Sequence, residues 1–189
     1  ELQRFILLWR YQNHVPPFAL WWRLVFKRIV DVAGAAVGLI LTAPVVPLIA
    51  AAIKLDSKGP VLYRQERAGR FGDAFRMYKF RTMVVDAEAG GPRWAAGDED
   101  PRMTRVGRFL RRTHLDELPQ VLNVLKGDMS LVGPRPERPC FVEELNRAIP
   151  GYDERLYIRP GMTGLAQVHY RYDQSMADVK RKLRFDLLY

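Results

Sequence analysis

Hydrophobic and polar positions divide this chain of 189 residues into stretches of different rhythm. Residues 32–53 read VAGAAVGLILTAPVVPLIAAAI, without one charge. Roughly 22 residues at 1.5 Å each give a straight helix of about 33 Å, enough to cross a bilayer core. Such all-round apolarity argues against a buried soluble helix. Pro44 and Pro47 sit mid-segment, where each removes a backbone donor and favours a kink. Split at Pro44, each half is only about 15–18 Å long. Basic residues stand on both flanks: Arg23, Lys27 and Arg28 before, and Lys54, Lys58, Arg64, Arg67 and Arg70 after. A spanning helix collects them on the cytoplasmic side. The pattern therefore favours a re-entrant hairpin over a spanning helix, with the Thr42 hydroxyl available to carbonyls that the kink frees.

Ahead of this segment, VPPFALWWR at 15–23 sets aromatics beside basic residues. That is the composition of a membrane-interface stretch, and equally of an aromatic cluster on a helix. The apolar FILLW at 5–9 is too short to assign. After Lys54 the period shortens. PVLYRQ at 60–65 and AFRMYKFR at 74–81 alternate apolar and polar positions as half-buried strands do, and residues 69–73 supply the turn of a hairpin. EAGGPRWAAGDEDP at 88–101 has no periodicity and reads as a loop. Leu118, Val121, Leu122 and Leu125 form an apolar stripe at helical spacing, ended by Gly127. Residues 133–136, Gly-Pro-Arg-Pro, are extended or turned; residues 137–149 form another helix; a further turn at 159–164 leads into a short run.

Composition narrows the picture. Lys and Arg number 30 against 21 Asp and Glu, a net charge of +9, which suggests an anionic partner such as phospholipid headgroups, phosphate esters or nucleic acid. No nucleic-acid motif is present, and the uncharged run speaks against that last partner. The single cysteine, Cys140, excludes an internal disulfide and has no metal-ligand spacing around it. The chain opens on Glu1 and stops at Tyr189 within a patterned run, as expected of an excerpt from a longer protein.

Against this basic background, Asp116 and Glu117 stand side by side. The ring of Pro119 would clash with the carbonyl of residue 115 inside one helix, so the helix should start at or after about Leu115. Both carboxylates then lie in its opening turn, where the dipole favours ionisation and free N–H groups favour an anion. Asp116 is on this evidence a candidate nucleophile or acid/base group, or simply an N-cap. Cations that could serve it are Arg111 and Arg112 immediately upstream, Lys79 and Arg81 on one face of a strand by period two, and Arg135 in a rigid Pro-Arg-Pro frame.

Several blocks together resemble the bacterial sugar transferases, the monotopic phosphoglycosyl transferase superfamily. They are KRIVD at 27–31, the apolar run with its central proline, YKFRTM at 78–83, LDELPQVLNVLKGDMSLVGPRP at 115–136 and RPGMTGLAQV at 159–168. The matches run in order over roughly residues 24–189. The resemblance implies transfer of a hexose-1-phosphate from a UDP-sugar to undecaprenyl phosphate, with Asp116 as nucleophile and Glu117 as its partner carboxylate. It further implies Mg²⁺ at Asp116, phosphate contacts from Lys79 and Arg111 and a nucleotide contact from Arg135, with Arg81 a further substrate-binding candidate. Pro44 would mark the break of a re-entrant membrane helix, although the family's usual Ser-Pro is Ala43-Pro44 here. The expected fold class is α/β of the α+β type. Residues 1–23 would be a membrane-proximal linker or interfacial segment, 24–55 the re-entrant helix, and 56–189 the catalytic domain, truncated at its C-terminus. The site would face the cytoplasm at the bacterial inner membrane, among membrane lipid. The N-terminal extension points to the longer members, whose tendency to pair makes a homodimer an expectation. A basic membrane-binding module whose Asp116-Glu117 only caps a helix is the alternative from another class.

Overall fold

The computed structural model describes residues 17–91, 100–170 and 176–188. The apolar stretch at 5–9, the start of the aromatic stretch at 15–16 and the middle of the loop at 92–99 lie outside these described residues. Two helices come first, α1 (Pro17–Thr42) and α2 (Val46–Asp56), bent 61° to one another. No single helix among the described residues is long and apolar enough to cross a membrane; the two limbs meet that requirement only together. Pro44 lies in the break, and Pro47 sits in the first turn of α2, where a missing N–H costs little. The Thr42 hydroxyl donates to the Gly38 carbonyl at 2.7 Å. It thus serves a carbonyl two residues before Ile40, the one that Pro44 cannot serve, and a bond back to residue i−4 itself favours bending.

Strands β1 (Leu62–Ala68) and β2 (Ala74–Phe80) form the expected antiparallel hairpin, with Arg64 opposite Tyr78 and Tyr63 opposite Lys79. Helix α3 (Arg105–Arg112) follows the loop; the Thr104 hydroxyl caps it by accepting from Gly107 N at 2.9 Å. Gly107 has to be glycine, because a Cβ there would lie 2.0 Å from the Thr82 carbonyl oxygen. A 3-10 turn (Leu115–Gln120) runs into α4 (Val121–Lys126), and Gly127 ends α4 at φ +97°, the left-handed conformation that glycine adopts freely.

Two three-residue strands, β3 (Ser130–Val132) and β4 (Gly161–Thr163), pair in parallel. Between them lie α5 (Pro139–Ala148) and a further 3-10 turn (Tyr152–Tyr157); α6 (Leu165–His169) and α7 (Met176–Asp186) follow. This is the mixed helix-and-sheet architecture expected of the sequence, with a second, parallel strand pair added.

Strand β2 is wedged between two apolar clusters. Met77 packs with Ala35 of α1 and with Val121 and Val124 of α4, whereas Phe80 packs with Ile49 and Ile53 of α2 and Leu110 of α3. Burying side chains of this size stabilises a fold by roughly 1.5–3 kcal/mol each. Lys79, between them in sequence, is thus held where the two limbs of the bent pair dock. Polar contacts fasten both limbs. Arg28 donates to the Val124 and Leu125 carbonyls at 2.7 and 2.9 Å, near the negative end of α4. Buried Asp31 accepts from Leu131 N and the Ser130 hydroxyl, each at 2.9 Å. At the far end, Asp56 accepts from Val106 N at 2.9 Å and so joins α2 to the start of α3.

Candidate active site

The 3-10 turn begins where Pro119 required, at Leu115, but its geometry removes the capping interpretation of Asp116. His114 holds the N-cap position, at φ +57°, and Asp116 sits one residue inside the turn. Asp116 is only 5% exposed, and among the described residues it makes no side-chain hydrogen bond or ion pair. Glu117 is treated oppositely. Its Oε1 accepts from Lys79 Nζ and from Arg135 Nη2, both at 2.8 Å, with Arg135 Nη1 3.5 Å from Oε2.

Charge follows this geometry. Burial pushes the Asp116 carboxyl above its ordinary value; Lys79 pulls it down, Glu117 pushes it up, and Arg111 and Arg135 pull it down more weakly. The expectation that a helix start would ease its ionisation therefore fails, because desolvation outweighs the field of a short 3-10 turn. Burial also works against charge on Glu117, but Arg135 and Lys79 outweigh it and hold that carboxyl far below the usual range. Lys79 is lowered, by burial first and then by Arg135, with Glu117 and Asp116 acting in the opposite sense. Burial opposes the charge on Arg135, yet Glu117 keeps its guanidinium more firmly protonated than usual.

The structure gathers Asp116, Glu117, Lys79 and Arg135, with Arg111 acting on Asp116 through its field while its own Nη1 lies 3.7 Å from Met103 Sδ. Arg112 is exposed and makes no hydrogen bond or ion pair to this group among the described residues. Arg81 is elsewhere. The strand ends at Phe80, so period two no longer governs position 81. Its buried guanidinium turns to the end of α2, donating to the Ser57 carbonyl at 2.7 Å, the Ser57 hydroxyl at 3.0 Å and the Lys58 carbonyl at 2.8 Å. Arg81 is thus a helix-end anchor, not a neighbour of the carboxylates.

Two features escaped the residue patterns. Asn123, fully buried within the apolar stripe of α4, accepts from Tyr78 N at 3.0 Å and donates to the Arg76 carbonyl at 2.8 Å. It thereby ties α4 to the strand that carries Lys79, and a polar residue on an otherwise apolar helix face was the signal for it. The other is the bracing of Arg135. Gly133 and Gly161 cross backbone to backbone, with Gly133 N donating to the Thr163 carbonyl at 2.9 Å and Gly161 N to the Pro134 carbonyl at 2.8 Å. A Cβ on Gly161 would lie 2.1 Å from Gly133 N.

Among the described residues no three His, Cys, Asp or Glu side chains converge on a metal position. A Mg²⁺ ion needs no such cage, since one carboxylate plus substrate phosphates and water complete its octahedron. Asp116, buried and without an internal partner, fits that role; Glu117, held by two cations, does not. Chemically, the arrangement offers one unpartnered carboxylate in a cationic setting suited to a phosphorylated, anionic substrate.

Comparison with known proteins agrees with this chemistry. The sequence profile described as bacterial sugar transferase matches residues 22–189. A protein of Bacillus subtilis (strain 168), provisionally named an undecaprenyl-phosphate N-acetylgalactosaminyl 1-phosphate transferase, is 46% identical over 157 residues, covering 82% of this chain and 83% of its own. The UDP-N-acetylgalactosamine-undecaprenyl-phosphate N-acetylgalactosaminephosphotransferase of Aeromonas hydrophila is 45% identical over 86% of this chain and 38% of its own. The UDP-glucose:undecaprenyl-phosphate glucose-1-phosphate transferase of Escherichia coli (strain K12) is 44% identical over 87% of this chain. The chain spans only 38% and 36% of the length of those last two relatives.

Proposed function

This chain belongs to the bacterial sugar transferase family, and from that premise we propose that it moves a hexose-1-phosphate from a UDP-sugar to undecaprenyl phosphate through a covalent intermediate on Asp116. A carboxylate oxygen of Asp116 attacks the phosphorus that carries the sugar; the bond to the nucleoside monophosphate breaks and UMP leaves. An oxygen of undecaprenyl phosphate then attacks the same phosphorus, the aspartyl bond breaks, and the polyprenyl diphosphate sugar is released. Atoms balance over the two displacements, and the carboxylate is regenerated.

The observation that carries this reading is the contrast within the pair: Asp116 is buried and unpartnered, whereas Glu117 is locked between Lys79 and Arg135. A nucleophile has to be free to bond, and a raised pKa makes its carboxylate the better one for attack at phosphorus. Glu117 orders the two cations, whose remaining donors would serve an arriving phosphate. Lys79 and Arg111 would hold phosphate oxygens and Arg135 the nucleotide side. Mg²⁺, held by Asp116 together with the diphosphate, would supply charge neutralisation at the reacting phosphorus. Relatives are named for both glucose and N-acetylgalactosamine, so the sugar is read here as a hexose and no more narrowly.

The bent pair supports a re-entrant membrane anchor. Its entry, at Arg28 and Asp31, and its exit, at Asp56, are bonded to one globular body, which favours both ends lying on one face of a bilayer. We place that face on the cytoplasmic side of the bacterial inner membrane, where UDP-sugars are present.

Radiolabelled UDP-glucose or UDP-N-acetylgalactosamine, undecaprenyl phosphate and Mg²⁺ test the reaction directly. Lipid-linked product and a phosphosugar adduct on Asp116, read by mass spectrometry of the half reaction, are the expected results. Asp116→Asn should lose about 10³-fold or more of the turnover. Turnover by that variant comparable to the parent's would remove Asp116 from the nucleophile role.

A further inference from the structure

Three consecutive carbonyls of the Pro134-Arg135-Pro136 frame are each gripped by a different element. Pro134 O accepts from Gly161 N at 2.8 Å, Arg135 O from Arg155 Nη2 at 2.8 Å, and Pro136 O from Arg67 Nη1 at 2.9 Å. The two prolines have no N–H, so carbonyls are the handles this frame offers. Two of the grips come from neighbours expected beside it, a paired strand and the hairpin. The third is distant. Arg155 belongs to the 3-10 turn Tyr152–Tyr157, is buried, and is oriented from behind by Asp186, the last residue of α7. All three guanidinium nitrogens are engaged: Nε donates to Asp186 Oδ2 at 2.9 Å, Nη1 to the Tyr152 hydroxyl at 2.9 Å, and Nη2 lies 2.8 Å from Asp186 Oδ2 while also serving Arg135 O.

We propose that the Arg155–Asp186 pair is a positioning device for the transfer reaction: it fastens the Arg135 backbone to α7, so that the Arg135 guanidinium keeps Glu117 fixed beside Asp116. The inference rests on the reading of Asp116 and Glu117 given above. Neither Arg155 nor Asp186 bonds to the carboxylate pair; both act through Arg135. A buried ion pair could serve packing alone, since α7 also contributes Val179 and Leu183 to an apolar cluster with Val142 and Leu145. The bond to Arg135 O distinguishes the two roles. Packing has no use for a guanidinium aimed at the backbone of a site residue, whereas positioning requires it. An arginine suits this, because a rigid planar fork can hold two directions at once and a lysine cannot.

The test uses the full chain with Asp186→Asn, which keeps shape, and Arg155→Lys, which keeps charge; Asp116→Asn serves as the dead control. Hydrogen exchange is read on peptides covering residues 133–138 and 74–80. Both variants are expected to exchange faster at 133–138 and unchanged at 74–80. Turnover should fall about 10- to 100-fold, as expected for small misplacements of catalytic groups, with KM for the UDP-sugar moving less. Unchanged exchange at 133–138, or equal acceleration at 74–80, would overturn the proposal in favour of a packing role. So would turnover that merely tracks the folded fraction. A parent chain without transfer activity would instead sink the reading of Asp116, and the exchange result would still decide the positioning claim, because it needs no turnover.

Discussion

Asp116 and Glu117 are neighbours in sequence whose charges are linked to folding with opposite signs. The Asp116 pKa is raised above 3.8, chiefly by burial. Its contribution to stability is therefore complete below the unfolded-state value and lost as pH rises through the folded one. At neutral pH the buried carboxylate is a net cost. Glu117 is depressed below 4.5: although burial opposes its charge, Arg135 and Lys79 overcome that opposition. Its contribution is present above 4.5 and lost as pH falls toward its folded value. Two substitutions one residue apart should thus move stability in opposite directions at pH 7. Asp116→Asn should melt a few degrees higher than the parent, in line with the gain of about 0.5–2 kcal/mol typical when a strained functional group is removed. That gap should close below the ordinary Asp value of 3.8. Glu117→Gln should melt lower, by on the order of 2 kcal/mol once the 42% exposure of Arg135 is allowed to screen the pair. Thermal melts of the three proteins across pH check both; a lower melting temperature for Asp116→Asn would contradict the burial argument. Sequence placed both residues in a first turn correctly. It could not separate them, because burial and the arrival of Arg135 from 18 positions away are tertiary events.

Elements explain where residue patterns succeeded and failed. The hairpin, the Gly127 stop and the start at Leu115 were legible because each depends on local chemistry: alternation, a left-handed glycine and a proline ring. Strands β3 and β4 were not, since three residues carry no periodicity and their pairing spans 31 positions. Arg81 shows the same limit. Period two put it beside Lys79, but β2 stops one residue short and the side chain closes the end of α2. Its role makes a prediction that separates the two readings. Arg81→Met leaves the Ser57 and Lys58 carbonyls without this donor and empties a buried guanidinium site. The fold should lose about 3 kcal/mol, while KM for the UDP-sugar in the folded fraction stays within about two-fold of the parent's. Thermal melting with steady-state kinetics on the same preparation decides it; a large KM change in a protein of parental stability would return Arg81 to the substrate.

For the whole molecule, the decisive relation is between the bent pair and the body it grips. Ile40, Leu41 and Leu48 are about 70% exposed on the limbs around the break, and apolar side chains this exposed on adjoining helices call for an apolar surrounding. The lipid layer of the proposed re-entrant anchor would supply one. The proline signal anticipated this bend. For the proposed re-entrant anchor, support for a return to one face comes only from tertiary bonds: Arg28 and Asp31 hold the first limb to α4 and β3, and Arg81 and Asp56 hold the second to the end of β2 and to α3. For α1 and α2 to span a bilayer as one rod, one of these two sets has to break. Each holds buried groups that would be left unsatisfied, at about 1–3 kcal/mol per group. Single cysteines at Trp21→Cys and Ser57→Cys, in a background where the exposed Cys140 is replaced by serine, test this with an impermeant maleimide applied to sealed vesicles of one orientation. Both positions should label from the same side and neither from the other. Labelling from opposite sides would mean that the bent pair has straightened, and then the docking bonds of one limb could not persist in the membrane-bound protein.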